Sequence, residues 1–261
     1  MKMKIAVLGG GNMGGAIAAG VVLSGVAPAE NVCVTHARPA LTERLEKEGL
    51  HIRIGSDNAE AAKEADIVFL AVKPWLAEAV LKEIAPGLNP DKQTVASVVA
   101  GLSFAKMKEY LGKSPALFRV IPNTAVSLGQ STTFVSADGA SEKQQKEMRS
   151  IFEALGKAFF VPEEQMTAVT ALCSCGIAYI LRYIGASVDG AVRMGLDPDE
   201  ALPMVLQTIR GAVALLQTNG TTPQQEIDKV TTPGGITLKG LEAMERGGFS
   251  TAVIEGLLAS K

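Results

Sequence analysis

The 261-residue sequence predicts an α/β protein, an N-terminal Rossmann-type doubly wound sheet followed by an all-helical C-terminal dimerisation domain. Three observations carry this expectation. Short apolar strands recur at crossover spacing through the first half, each closing in glycine or small polar residues. The first strand runs directly into a G-x-G-x-x-G fingerprint. After Pro162 the periodicity becomes helical, so the domains are read as 1–162 and 163–261.

Lys4 to Leu8 is the first apolar strand, Gly9-Gly10-Gly11-Asn12-Met13-Gly14 the fingerprint, and Ala16 to Ser24 the helical run after it. Such glycines permit a tight turn and close approach of a pyrophosphate, which the N–H groups and dipole of the following helix stabilise. Gly9, Gly11, Asn12, Met13 and Gly14 are therefore cofactor candidates. A second strand, Asn31 to Thr35, ends where an NAD site would place an acid for the ribose hydroxyls, but here stand Thr35-His36-Ala37-Arg38. A hydroxyl, an imidazole and a guanidinium suit a 2′-phosphate better, so Thr35, His36 and Arg38 favour NADPH, with NADH as the alternative. The plainer reading makes Arg38 a solvated loop charge before Pro39.

Asp66 to Val72, Thr94 to Ala100 and Ala116 to Ile121 read as further buried parallel strands. They close in Lys73-Pro74, Gly101 and Pro122-Asn123-Thr124, at the sheet edge where doubly wound folds bind ligands. Ala71, Val72, Lys73, Pro74, Ala100, Gly101 and Asn123 are accordingly expected along the cofactor crevice, together with Asn58. Ser141 and Gln144 form a capping box before a helix with Met148, Ile151, Phe152 and Leu155 at helical spacing, and Ala158 to Val161 is a last strand.

From Glu163 to Met194 there is no proline, and the pattern is apolar on nearly every side, as in a helix buried between subunits. Asp197-Pro198-Asp199-Glu200 starts a second helix reaching about Gln217, and Thr222-Pro223 a short third. Two more are expected over Ile236 to Glu245 and Phe249 to Ala259. Fewer than about 100 residues with several apolar faces are most simply buried by dimerisation. Between these helices lies Thr231-Thr232-Pro233-Gly234-Gly235-Ile236-Thr237, a chargeless run whose glycines allow a tight turn onto a helix start. The N–H groups of that start would form an anion pocket beside the Thr237 hydroxyl.

At a net charge of -2 the chain has no nucleic-acid-like basic excess, and no nucleic-acid partner is expected. The opening Met1-Lys2-Met3-Lys4 is followed by a stretch broken by glycines and Asn12, without a signal-peptide core, so the chain reads as cytoplasmic. No run of 18 uninterrupted apolar residues occurs, which argues against a membrane span. Cys33, Cys173 and Cys175 include no C-x-x-C pair, arguing against a disulfide framework or metal site. The only histidines are His36 and His51, so the second half holds no histidine catalyst.

With both halves read, the chain resembles the pyrroline-5-carboxylate reductase family over essentially its whole length. The resemblance rests on Gly9-x-Gly11-x-x-Gly14, Phe69-Leu70-Ala71-Val72-Lys73-Pro74, Pro122-Asn123-Thr124 and, above all, Val230 to Thr237, which is similar to V-[ST]-S-P-G-G-x-T. It implies hydride transfer from the nicotinamide C4 to C5 of the cyclic imine pyrroline-5-carboxylate, giving L-proline between the two domains, near Ala100-Gly101 and Asn123. It also implies an interlocked homodimer, with dimers often assembled into decamers. By analogy, Thr232 and the Gly234-Gly235 backbone would hold the substrate carboxylate, and the Thr237 hydroxyl would contact the ring nitrogen. An iminium proton can be acquired from water before binding, so the absent histidine is compatible with this chemistry.

Cys173-Ser174-Cys175-Gly176-Ile177-Ala178-Tyr179 departs from the family's Ser-Gly-Ser-Gly-Pro-Ala-Tyr-like segment, keeping only the second glycine and Ala-Tyr. The rivals are another imine reductase, a β-hydroxyacid dehydrogenase-like enzyme, and a sensor that binds NADP(H) without turnover. Hydroxyacid enzymes of that type carry a lysine on the interdomain helix, and none occurs here between Lys157 and Lys229.

Overall fold

In the computed structural model, which describes residues 3–113 and 115–261, the chain separates into two compact units, Met1–Ser174 and Cys175–Lys261. Met1 and Lys2, part of the basic opening noted above, and Ser114 lie outside the described residues.

The first unit alternates strands and helices: β1 (Ile5–Leu8), α1 (Asn12–Leu23), β2 (Val32–Thr35), α2 (Pro39–Lys47), β3 (Arg53–Gly55), α3 (Asn58–Glu64), β4 (Ile67–Leu70), α4 (Ala77–Ile84), β5 (Thr94–Ser97), α5 (Phe104–Leu111), β6 (Ala116–Ile121), β7 (Ser131–Asp138), α6 (Glu142–Glu153) and β8 (Gly156–Phe160). The strands form one sheet in the order β3-β2-β1-β4-β5-β6-β7-β8. All neighbouring pairs are parallel except β6 with β7. Side chains alternate across it, so Ile5, Val7, Ile67 and Phe69 pack on the α1, α2 and α6 side while Ala6, Leu8, Val68 and Leu70 pack on α3, α4 and α5. Burial on both faces explains why these strands are continuously apolar rather than alternating. The order in which strands are added reverses between β1 and β4, which puts the loops after these two parallel strands side by side at the switch point.

The predicted capping box forms, with Ser141 accepting from the Gln144 N–H and the Gln144 side chain accepting from Ser141 N at 2.9 Å. Two elements differ from the sequence reading. The first helix starts inside the fingerprint, at Asn12 rather than Ala16, because Gly14 and Gly15 have no side chains to keep it from packing against Gly9 and Leu41. β7, Thr/Ser-rich and unread as a strand, pairs antiparallel with β6 because its buried hydroxyls satisfy one another, Ser131 Oγ lying 2.9 Å from Thr133 Oγ1.

The helical run Glu163–Arg193 is present but not regular: a 3₁₀ turn (Glu163–Gln165) leads into α7 (Met166–Val169), a π-helical turn (Thr170–Cys175) and α8 (Gly176–Arg193). Glu163 accepts from Phe104 N at 2.8 Å and from Arg119 at 2.9 Å, and Met166 packs with Ile121 and Phe134. Its most apolar 18-residue window has a mean hydropathy of 1.5, and the run is long and apolar enough, by length and composition alone, to cross a membrane. Counting only uninterrupted apolar residues misses this, because a few small and polar residues barely lower the mean.

α8 opens the second unit, followed by α9 (Pro198–Asn219), α10 (Pro223–Val230), α11 (Ile236–Arg246) and α12 (Phe249–Ala259). The expected caps form: Asp197 accepts from Asp199 N at 2.8 Å, and Thr222 with Gln225 makes a capping box. Tyr179 donates to the Gly256 carbonyl at 3.1 Å and meets Ser260 Oγ, tying α8 to α12. Little else is covered. Among the described residues, Ala201 is the single buried position of the 22-residue α9, and α10, α11 and α12 have none. An apolar groove lined by Tyr179, Tyr183, Ile209, Leu241, Met244 and Phe249 opens on this unit.

Candidate functional site

In the first unit the loops after β1, β2 and β4 are held together at the carboxyl edge of the sheet. Gly9, at φ 106, turns the chain out of β1 so closely beside β4 that a Cβ there would lie 2.7 Å from the Ala71 carbonyl oxygen. Ala71 N donates to Leu8 O at 2.8 Å, locking that approach. On the other side, Gly10 N donates to Thr35 O at 2.9 Å and Arg38 N donates back to Gly10 O at 3.2 Å, which clamps the fingerprint to the loop after β2. A Cβ on Gly10 would sit 2.4 Å from Ala37 Cα, so only glycine admits this clamp.

Gly11 is different. It is the N-cap of α1, offers no side-chain cap, and a Cβ built on it meets nothing within 4 Å. Open space before an uncapped helix start fits a bound phosphate, which would accept from the free N–H groups there and gain from the helix dipole. Gly10, Gly11, Asn12 and Gly15 line one cleft with Arg38 and Arg44. Arg44 went unnoticed in the sequence because on α2 it reads as an ordinary helical charge, and it pairs with Glu48 at 2.8 Å. His36 projects from a left-handed backbone position, φ 49.

The other candidates fall into two groups. Asn12, His36, Arg38, Lys73, Pro74, Ala100 and Gly101 are exposed on the carboxyl side of the sheet, with Met13, Ala71 and Val72 half-buried behind them. Pro74, Ala100 and Gly101 share a second cleft with Trp75 and Tyr110. Thr35, Asn58 and Asn123 are buried instead, and their polar atoms are engaged internally: Thr35 donates to Asn58, and Asn123 Oδ1 accepts from Ala125 N at 3.0 Å. Of the first group, Asn12 and Arg38 share one cleft and Pro74, Ala100 and Gly101 another, while the second group is buried and hydrogen-bonded within the fold.

In the second unit, Thr231 accounts for itself locally, its hydroxyl donating to Ile227 O at 3.0 Å to finish α10. The chain then turns through Thr232–Gly235, with Gly235 N donating to Thr232 O at 2.9 Å and Gly234 at φ 74. Thr232 Oγ1 lies 2.6 Å and Thr232 O 3.0 Å from where a Gly235 Cβ would be, so a side chain there would have to displace the Thr232 hydroxyl. α11 then begins with Gly235 as N-cap and no side-chain cap, and Thr237, exposed, stands in its first turn. An anion seated there would supply the acceptor that a Ser or Asp cap ordinarily provides.

Cys173 is half-buried in the π-helical turn, and burial pushes its thiol up from the ordinary range, which disfavours the nucleophilic thiolate. The described residues contain no group of three or more His, Cys, Asp or Glu placed to hold a metal.

Residues 163–261 match a family described as pyrroline-5-carboxylate reductase dimerisation, and residues 4–101 match one described as NADP oxidoreductase, coenzyme F420-dependent. The Synechocystis pyrroline-5-carboxylate reductase is 34% identical, covering 100% of this chain and 96% of its own. Pyrroline-5-carboxylate reductase 1 of Dictyostelium discoideum is 35% identical over 98% of this chain, which spans 48% of that protein's length. The crystal structure of Plasmodium falciparum pyrroline carboxylate reductase with NADP bound superposes with a TM-score of 0.90 at 29% identity, covering 100% of this chain and 96% of that one. Full-length identity above 30%, with the dimerisation family matched across the helical half, settles the assignment: the chain belongs to the pyrroline-5-carboxylate reductase family.

Proposed function

We propose that this chain reduces the C5=N bond of pyrroline-5-carboxylate with NADPH to give L-proline, as an oxidoreductase acting on CH–NH groups. The observation that carries the reading is the uncapped start of α11 behind the Thr232–Gly235 turn, an anion seat with a hydroxyl beside it. When bound, the nicotinamide cofactor supplies the hydride. The Gly9 to Gly14 loop and the start of α1 would hold its pyrophosphate, Arg38 with His36 its 2′-phosphate, and Ala71 to Pro74, Ala100 and Gly101 would line the rest of the site, Pro74, Ala100 and Gly101 sharing one cleft. Thr35, Asn58 and Asn123 contribute from beneath, by fixing the loops. Thr232 and the Gly234-Gly235 backbone take the substrate carboxylate, and the Thr237 hydroxyl accepts the ring N–H and orients it. No strong acid is required of the protein, since the imine can take its proton from water; what it supplies is alignment.

Rates of NAD(P)H oxidation with pyrroline-5-carboxylate, piperideine imines and keto acids test the reading. Binding without oxidation supports the sensor, and keto-acid turnover the hydroxyacid dehydrogenase. Thr237→Ala is expected to lower kcat/KM for the imine by about 100-fold while leaving NADPH affinity unchanged. An unaltered rate removes Thr237 from the site. Arg38→Ala is expected to raise the KM for NADPH roughly tenfold, the scale of one charge-assisted contact, with little change for NADH. Equal effects on the two cofactors return Arg38 to the role of a solvated charge.

We also infer that residues 163–261 act as the dimerisation and substrate domain, with the boundary at Pro162. Leu181, Ile254 and Leu258 are each more than half exposed, and burying a side chain of this size is worth about 1.5–3 kcal/mol. A second copy is a better cover than lipid, because Arg182, Asp189 and Arg193 interrupt the apolar surface of α8 and a dimerisation family matches this part of the chain. A pentamer of dimers and a cytoplasmic location complete the reading.

A further inference from the structure

We propose that Glu83, on α4, is a positioning residue for the dinucleotide loop, acting through Asn58 and Thr35 on Gly9. The inference rests on the reading of this crevice as the NADP(H) site. Four groups from four separate segments form one chain of hydrogen bonds. Gly9 N donates to Thr35 Oγ1 at 3.3 Å, the Thr35 hydroxyl donates to Asn58 Oδ1 at 2.6 Å, and Asn58 Nδ2 donates to Glu83 Oε2 at 3.0 Å. Thr35 is 0% and Asn58 5% exposed, so neither middle member can turn to water instead.

The direction of this chain is set at its charged end. A carboxylate accepts and does not donate, so the Asn58 amide must turn its NH₂ towards Glu83 and its oxygen towards Thr35. The single Thr35 proton is then committed to Asn58, which leaves the lone pairs of Oγ1 facing the Gly9 N–H. Each bond polarises the next, and the central Thr35–Asn58 bond is buried, so the arrangement holds the first glycine of the fingerprint, at φ 106, more firmly than one hydroxyl contact would. On the surface of α4, Glu83 looks like any solvated helix charge. What distinguishes it is its partner, a buried amide whose orientation nothing else on this chain of bonds determines.

The test reads cofactor affinity directly. Trp75 is the sole tryptophan, and it is exposed just beyond Lys73-Pro74, so its emission reports titration with NADPH or NADH. Glu83→Gln, which can present an NH₂ and lets Asn58 turn over, is expected to raise the Kd for both cofactors by similar factors of about ten. Thr35→Val should do the same and Thr35→Ser should restore binding. The Glu83→Gln, Thr35→Val double variant should bind no more weakly than Thr35→Val alone, since the two act through one path, and melting temperatures are followed throughout. An unaltered Kd in Glu83→Gln, or factors that multiply in the double variant, overturns the proposal while the nucleotide site stands. Absence of NADPH binding by the unmodified chain overturns the nucleotide-site reading and the proposal with it.

Discussion

Gly14→Ala is expected to abolish cofactor binding and destabilise the first unit, whereas Gly11→Ala is expected to weaken binding alone. Both glycines belong to one motif, yet the space around them differs. A Cβ on Gly14 would lie 2.1 Å from the Gly9 carbonyl oxygen, 3.0 Å from Ala71 Cβ and 3.1 Å from Val7 Cγ1. Two of these belong to the phosphate loop and the crevice itself, and none is the far end of a flexible side chain. Relief therefore requires α1 to move off the sheet or Gly9 to leave its turn, an overpacking cost of about 1–3 kcal/mol or more. At Gly11 the added methyl meets nothing within 4 Å, so the fold accepts it, but that open space is where a phosphate approaches the uncapped helix start. A rise in Kd of about 100-fold, equivalent to about 2.7 kcal/mol, is expected for NADPH and NADH alike. Calorimetric melting with Trp75-reported titration separates the two outcomes. Tight binding by Gly14→Ala would show that the loop has freedom these contacts deny, and unchanged binding by Gly11→Ala would move the phosphate elsewhere.

How much of this was legible in the sequence depends on whether the signal is contiguous. β1, β4 and β6 announced themselves as short apolar runs because both faces of the sheet are covered by helices. The Thr232–Thr237 turn was legible for a similar reason, since the turn, the missing cap and the hydroxyl all lie within a few residues. β3 was not, because a three-residue edge strand with Arg53 and Ile54 exposed carries no burial pattern. β7 escaped notice because buried Ser131, Thr133 and Ser136 look polar until their hydrogen bonds are seen.

At the site, residue types were easier to read than residue roles. Thr35 and Asn58 were expected at the cofactor edge. Their side chains, however, are spent on each other and on Glu83, a connection spanning 48 positions from Thr35 that no local pattern could display. Arg44 was hidden likewise, since its approach to the Gly10-Gly11 loop depends on how α2 packs beside α1. The π-helical turn at Thr170–Cys175 has no side-chain periodicity to set it apart from the α-helix on either side.

Gly156→Ala is expected to be among the most damaging single-methyl changes in the first unit, and its effect should reach the crevice. Gly156 opens β8 at φ 143, a conformation that side chains rarely adopt, and its partner across the sheet is Ser131 of β7. A Cβ there would lie 2.1 Å from Ser131 O and 2.4 Å from Ser131 N, so the obstruction is backbone within the sheet and has no rotamer to give way. Ser131 also accepts from Asn123 N at 3.2 Å, so pushing β7 aside loosens the turn after β6 whose Asn123 supports the crevice. A loss of about 4 kcal/mol or more places this change in the exceptional range for one substitution. Since about 1 kcal/mol shifts the melting temperature of a domain this size by roughly 2–4 °C, a fall of about 10 °C is expected. Gly101→Ala is the control: φ is 77, nothing lies within 4 Å, and only the left-handed cost of about 1–2 kcal/mol applies. If the two variants melt together, the β7–β8 edge yields more easily than its geometry requires, and Asn123 is held by something other than Ser131.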